Sequence, residues 1–301
     1  MNELRGARAA YSRAGAALFV SGVLLVLTQY LGSFLTLRFA PSLNDYEWYP
    51  YLLLLAAYAA AALSLRALLG AKRDTESGES GGFSLKLCAS ALPVCMFLSY
   101  VLSLAGQALD AALSSLAGRE YQNPVQQAVE GESALAILLV MVIIAPVIEE
   151  YMFRRLLLDA LKPYSKAQAA ISSALAFALF HFNLSQFFYA FAAGLALALL
   201  ALKTNSIVTG TVLHMLINFF GALAVPALVS ASSTALNNIG LWLMAGFSAA
   251  GAYLIIAKRK KLLDFWRSLD GLLSLREKYL NGGFFAFFAL CLFMFVLSVF
   301  E

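Results

Sequence analysis

The sequence predicts an all-α polytopic membrane protein, a helical bundle of eight or nine membrane-spanning helices. Of its 301 residues, 61% are hydrophobic and 13% are charged, whereas about 25% are charged in an ordinary soluble domain. Nine apolar stretches each approach or exceed the ~20 residues that a helix needs to cross a bilayer. They are 15–38, 50–70, 86–108, 134–161, 167–183, 184–202, 206–229, 237–257 and 283–300. This composition excludes a disordered chain, a nucleic-acid-binding arm and a typical soluble enzyme.

The basic residues predict how these helices are oriented. If the N-terminus is cytoplasmic and the nine stretches alternate, 19 of the 21 Lys and Arg residues fall on the inner side. Only Arg38 and Arg119 fall on the outer side. Because cytoplasmic loops are enriched in Lys and Arg, we predict a cytoplasmic N-terminus. The polar stretch 74–82 is then a flexible cytoplasmic loop.

We predict a single membrane domain over residues 1–301. Near its C-terminal end, the segment 262–282 alternates apolar and basic residues. That pattern is typical of an amphipathic helix on the inner membrane surface, and a plain linker is the alternative. Cys88, Cys95 and Cys291 lie in apolar stretches, so the sequence implies no disulfide framework.

Charged residues within the fourth apolar stretch are the first indication of a functional site. Charges deep in a spanning helix are costly and usually functional. Residues four apart share one face of a helix, so we expect Glu150 to pair with Arg154, and Arg155 with Asp159. Glu149 has no such partner. A free carboxylate in an apolar site is what a general base for water requires.

The only two histidines lie at a depth similar to that of Glu149. His181 falls in the fifth stretch and His214 in the seventh, where Asn218 shares the face of His214. At ~1.5 Å per residue, Glu149 and His181 lie roughly 20–25 Å from the turn that joins their helices. His214 and Asn218 lie about 14 and 20 Å from the next cytoplasmic turn. The four groups can meet if their helices are adjacent, although a single histidine could equally be a structural hydrogen bond between helices.

Three motifs on these helices resemble those of the CAAX protease and bacteriocin-processing family. Its members are intramembrane endopeptidases related to the Ras-converting prenyl endopeptidase. The motifs, in this order, are Glu149-Glu150-x-x-x-Arg154, Phe177-x-x-x-His181 and His214-x-x-x-Asn218. The segment 132–229, which holds all three, is the predicted catalytic core, and the helices outside it match the family only by hydropathy.

The resemblance implies an endopeptidase that hydrolyses a peptide bond with a water activated by glutamate and with no cofactor. Glu149, together with His181, would activate the water. His214 and Asn218 would donate hydrogen bonds to the oxyanion. These residue types suit amide hydrolysis, which needs an activated water, an oxyanion site and a proton for the leaving amine.

Three neighbouring residues would support this chemistry. The resemblance assigns Glu150 and Arg154 to positioning the catalytic groups, and Phe177, one turn before His181, is expected to pack against that ring. The compact length and short loops resemble a bacterial member of the family, in the bacterial cell membrane. Bacteria generally do not prenylate proteins, so the expected partners are the lipid bilayer and a membrane-associated peptide or protein substrate, with no nucleic acid.

Three alternatives remain open at the level of sequence. Glu149, His181 and His214 could bind Zn²⁺ as in a zinc-dependent intramembrane metalloprotease, although no His-Glu-x-x-His motif is present. The site could instead bind a peptide without cutting it, as in a bacteriocin-immunity or scaffold protein. A transporter could use the same side chains as a proton relay, but it would favour inverted repeats, which the sequence lacks.

Overall fold

The computed structural model describes residues 2–70, 81–120, 122–123, 126, 132–269, 274 and 279–300. Within these ranges the chain forms nine helices of 14 residues or more and a short 3₁₀ helix (Pro41–Asp45), with no strand. The nine are α1 (Asn2–Phe39), α2 (Tyr49–Leu69), α3 (Leu85–Leu116), α4 (Ala134–Leu161), α5 (Lys166–Leu179), α6 (Leu184–Thr204), α7 (Val208–Val229), α8 (Thr234–Arg267) and α9 (Gly282–Phe300).

The predicted polytopic helical bundle is confirmed. Seven of the helices in the described ranges, all except α5 and α9, are long and apolar enough to cross a membrane. The sequence predicts eight or nine such helices, and the difference arises at two short ones. α5 has 14 residues, or about 21 Å at 1.5 Å per residue, against a bilayer core of ~30 Å. The predicted fifth span, 167–183, is also wrong at its C-terminal end, because the helix stops at Leu179.

The turn between α5 and α6 is held by its own hydrogen bonds. Phe182 adopts a left-handed backbone conformation with φ of 53°. The Asn183 side chain accepts a hydrogen bond from the Gln186 backbone N–H (2.9 Å) and donates one to the His181 carbonyl (2.9 Å). Asn183 thereby caps the start of α6. These bonds satisfy backbone groups of an irregular segment, as an apolar environment requires.

Both α4 and α7 contain π-helical stretches next to the motif residues. These stretches are Ile137–Ile144 and Tyr151–Leu158 in α4 and Phe219–Ala224 in α7. Pro146 and Pro226 each follow a stretch by two residues. Proline lacks the N–H that would continue a hydrogen-bond ladder. Wide turns of this kind are rare and occur frequently at functional sites.

α6 lies at the centre of the bundle. One hydrophobic cluster joins α1, α2, α4, α5, α6 and α9, and a second joins α3, α6 and α7. Ala190 and Ala198 of α6 belong to the first cluster, whereas Leu197 and Leu200 belong to the second. The motif residues of α4 and α7 and of the segment around α5 are thus held around one common helix.

Two segments predicted from the sequence lie partly or wholly outside the described residues. The polar loop 74–82 falls mostly within 71–80, which is outside them. Of the predicted amphipathic segment 262–282, residues 262–267 form the end of α8 rather than the start of a separate helix. Residues 270–273 and 275–278 are outside the described part of the chain.

Candidate active site

An ion pair between Glu150 and Arg154 lies in the interior of α4. The Arg154 Nε and Glu150 Oε2 atoms are 3.3 Å apart, and neither side chain is exposed. Arg154 also donates a hydrogen bond to the Gly194 carbonyl of α6 at 3.1 Å. The second predicted pair, Arg155 with Asp159, forms at 2.9 Å with Arg155 43% exposed. Both sequence-predicted pairs are therefore confirmed, one buried and one at the surface.

Glu149, which the sequence leaves without a partner, has one from another helix. The Tyr58 hydroxyl of α2 donates a hydrogen bond to Glu149 Oε1 at 2.7 Å. Sequence reasoning missed Tyr58, although a single hydroxyl within the apolar run 52–63 was a signal that could have identified it. Tyr58 thus fixes one oxygen of the carboxylate and leaves the other for further contacts.

His214 bridges the two adjacent glutamates. Its Nδ1 atom lies 3.1 Å from Glu150 Oε1, and its Nε2 atom lies 3.5 Å from Glu149 Oε2. His214 is only 4% exposed. The imidazole therefore connects the Glu150–Arg154 ion pair to Glu149. The spacing of these residues along the sequence does not predict this contact.

His181 lies in the turn after α5 rather than within a helix. Its Nδ1 atom is 2.8 Å from the Phe177 carbonyl. A carbonyl can only accept, so Nδ1 carries the hydrogen and Nε2 keeps a free lone pair. The Phe177 ring packs edge-on against both imidazoles, with centroids 4.9 Å from His181 and 5.4 Å from His214. The Arg154 guanidinium lies 4.7 Å from the centre of the same ring, so Phe177 separates and orients both histidines.

Asn218 is held by a carbonyl that the π-helical stretch of α4 leaves open. In the five-residue spacing of that stretch, the Met141 carbonyl would accept a hydrogen bond from residue 146, which is a proline without an N–H. The Asn218 side-chain amide donates to it instead, at 2.8 Å. This bond fixes the amide between α7 and α4 and leaves its second N–H available.

One cavity of about 420 Å³ brings the four predicted catalytic residues together. Its lining includes Glu149, His181, His214 and Asn218. Beside it, a recess of about 20 Å³ is bounded by Tyr58, Glu149 and His181 together with apolar side chains. That volume suits a single water molecule with polar partners. The site can therefore present a carboxylate, a histidine lone pair and the second amide N–H of Asn218 to one small ligand.

The zinc alternative requires three ligand atoms that converge on one point. Among the residues that the structure describes, no group of three or more His, Cys, Asp or Glu side chains is placed to hold a metal ion. Nδ1 of His181 contacts a carbonyl, and both nitrogens of His214 contact glutamates. As arranged, these nitrogen atoms contact protein groups and do not converge with the carboxylates on one point.

Comparison with known proteins identifies the same part of the chain. Residues 131–220 match the family model described as Rce1-like, type II CAAX prenyl endopeptidase. The matched segment holds all seven residues of the three motifs. No curated protein and no solved structure matches the chain.

Proposed function

We propose that this protein, whose residues 131–220 match the family model of the type II CAAX prenyl endopeptidases, hydrolyses peptide bonds within the membrane by a glutamate-activated water. The observation that carries this proposal is that Glu149, His181, His214 and Asn218 line a common cavity. Two of these residues suit the role of a base and two suit the stabilisation of an oxyanion.

The water is activated in the small recess between Glu149 and His181. A water there donates one hydrogen to Glu149 Oε2, the oxygen to which Tyr58 does not bond. It donates the other to His181 Nε2, whose lone pair is available because Nδ1 donates to the Phe177 carbonyl. The Tyr58 hydroxyl holds the Glu149 carboxylate in place. Proton transfer from this water to Glu149 generates the hydroxide that attacks the substrate carbonyl carbon.

The oxyanion is stabilised from the α7 side of the cavity. His214 and Asn218 both lie on α7, and their side chains line the cavity. His214 and the second N–H of Asn218 donate hydrogen bonds to the tetrahedral oxygen as the negative charge develops. Glu150, paired with Arg154, holds Nδ1 of His214.

Collapse of the tetrahedral intermediate breaks the carbon–nitrogen bond. The proton that Glu149 removed from water passes to the leaving nitrogen, so one water is consumed and a carboxylic acid and an amine are released. Glu149 is then ready for a second cycle, and no cofactor takes part in these steps. The substrate is a membrane-associated peptide or protein, and the enzyme acts in the cell membrane of a bacterium.

The test compares membranes that contain the wild-type protein with membranes that contain Glu149→Gln. This substitution keeps the size of the side chain and removes its basic carboxylate. Comparative peptidomics should find products that disappear in Glu149→Gln and in His181→Ala, while both variants remain folded and membrane-inserted. Asn218→Ala should lower kcat roughly 100-fold, since one oxyanion donor contributes ~3 kcal/mol, with less effect on KM.

Glu132→Gln is the matched control for Glu149→Gln. Glu132 also accepts a hydrogen bond from a tyrosine of α2, Tyr51, but is exposed and outside the cavity. The Glu132→Gln variant should retain full activity. Identical peptide profiles for wild type and Glu149→Gln would contradict the proposal and favour a protein that binds peptides without cutting them.

A further inference from the structure

A second cavity, of about 640 Å³, adjoins the proposed active site. It lies between α3 and the C-terminal half of α7, and its lining also includes residues from the start of α6. Four residues, Tyr189, Ile217, Asn218 and Ala222, line both cavities. A chain bound across Asn218 would therefore extend from the proposed oxyanion site directly into this second space.

The wall that α3 contributes to the second cavity is uncharged and carries several polar side chains. These are Ser99, Tyr100, Ser103 and Gln107, and Met96 is the apolar member of the same wall. The buried hydroxyls of Ser99 and Tyr100 make no hydrogen bond within the described part of the chain. Buried polar atoms nearly always have partners, so two such hydroxyls on one cavity wall indicate a ligand that supplies them.

The active-site cavity is lined in part by apolar side chains. Those from α1, α2 and α9 include Leu25, Leu54 and Met294, beside the polar Gln29 and Tyr30. A substrate that occupies both cavities thus contacts apolar side chains in the active-site cavity and reaches hydroxyls without a hydrogen-bond partner in the second.

The charges around the second cavity disfavour a carboxylate. No Lys, Arg, Asp or Glu is among the described residues that line it. Next to the lining, the carboxyl group of Asp110 is 4% exposed and accepts a hydrogen bond at 2.7 Å from Ser185, a residue of the lining. A substrate carboxylate would find no cation among the described lining residues and would be repelled by Asp110.

We propose that the second cavity is a substrate subsite for an uncharged, hydrogen-bonding peptide segment on one side of the scissile bond, with an apolar segment held in the active-site cavity. This inference rests on the proposed endopeptidase function. The Ser99 and Tyr100 hydroxyls bond to the peptide groups or to the Ser, Thr, Asn or Gln side chains of that segment.

Binding is measured separately from cleavage, using full-length Glu149→Gln protein in lipid nanodiscs. The probes are fluorescent synthetic peptides in which a leucine-rich segment is joined to a second segment that is rich in Ser, Asn, Thr and Gln, in Glu, or in Leu. Each peptide is made in both orders. The peptide with the neutral polar segment should bind at least 10-fold more tightly than the other two.

Ser99→Ala and Tyr100→Phe remove one hydroxyl each and preserve the shape of the side chain. Each should weaken binding of the neutral polar peptide about 2- to 10-fold, the usual net effect of one hydrogen bond, and should leave the leucine peptide unchanged. Ser248→Ala is the matched control, because the Ser248 hydroxyl bonds to the Met244 carbonyl within α8 and lines neither cavity. It should bind all peptides as the parent protein does.

Equal binding of the three peptides, tighter binding of the Glu-rich peptide, or no effect of Ser99→Ala and Tyr100→Phe would each overturn the subsite. Cleavage by the wild-type protein is then followed with the same peptides. Selective binding without cleavage would retain the subsite and refute the endopeptidase function. Cleavage without selectivity would retain the function and refute the subsite.

Discussion

Replacement of Arg154 by methionine should be among the most damaging single substitutions in α4. Arg154 and Glu150 are both fully buried, and their atoms lie 3.3 Å apart. Removing one partner of a buried ion pair typically costs ~3–5 kcal/mol, because the other charge is left without compensation in an apolar interior. Arg154 also bonds to the Gly194 carbonyl. We therefore expect Arg154→Met to lower the free energy of unfolding by about 3–5 kcal/mol.

The adjacent arginine provides a matched control. Arg155 pairs with Asp159 over the same four-residue spacing, but Arg155 is 43% exposed and Lys162 also contacts Asp159 at 2.9 Å. Exposed pairs of this kind contribute ~0.2–1 kcal/mol. Arg155→Met should therefore change the unfolding free energy by less than about 1 kcal/mol. The two variants make the same chemical change one residue apart and differ mainly in burial.

A double substitution separates charge compensation from packing. Combining Glu150→Gln with Arg154→Met removes both charges, so the double variant should be more stable than the sum of the two single effects predicts. Coupling energies between contacting residues are ~0.5–3 kcal/mol. Its activity should stay low, because Glu150 no longer anchors Nδ1 of His214 as a carboxylate.

The assay is equilibrium unfolding of purified protein in detergent micelles, with SDS as the denaturant and helical circular dichroism as the signal. Activity is measured on the same preparations. If Arg154→Met and Arg155→Met lower stability equally, or if the effects of Glu150→Gln and Arg154→Met simply add, the interpretation of a buried and mutually compensating pair is refuted.

Three further predictions concern packing, orientation and metal content. A Cβ at Gly194 would lie 2.9 Å from the Phe177 ring, so Gly194→Ala should lower the free energy of unfolding by ~1–3 kcal/mol and should lower kcat. A Cβ at Gly246 meets no atom within 4 Å, so Gly246→Ala should do neither, and equal effects of the two substitutions would contradict this account. The native cysteines are buried, so an impermeant thiol reagent applied to intact cells reports on introduced cysteines. Asn123→Cys should react with it and Ser80→Cys should not, and labelling of Ser80→Cys would refute a cytoplasmic loop. Active purified enzyme should contain substoichiometric zinc by elemental analysis and should keep its activity after chelation, and loss of activity that added zinc restores would contradict a metal-free mechanism.

The sequence by itself determined the features that depend on local spacing. Apolar stretches of about 20 residues predict membrane helices whatever their neighbours are, and seven such helices are present in the described ranges. The pairs Glu150–Arg154 and Arg155–Asp159 follow from the geometry of a single helix. The motif residues could be identified in the same way, because residue type and order are enough to recognise them.

Only the tertiary structure decided which helices meet and what each motif residue contacts. Tyr58 reaches Glu149 across 91 positions of sequence, and His214 reaches Glu150 across 64. Apolar helices within a membrane have little hydrophobic preference for one neighbour over another, so close packing and interhelical hydrogen bonds set their arrangement. The spacing of residues along the sequence carries little information about which helices pack together or which side chains bond between them.

Local exceptions to regular helix geometry were equally beyond the sequence pattern. His181 lies in a turn because α5 stops at Leu179 and Asn183 caps the next helix. Asn218 is held by the Met141 carbonyl because Pro146 cannot supply the backbone N–H. A uniform helix of 3.6 residues per turn predicts neither contact, since each depends on a break in that period and on a partner from another helix that satisfies the freed polar group.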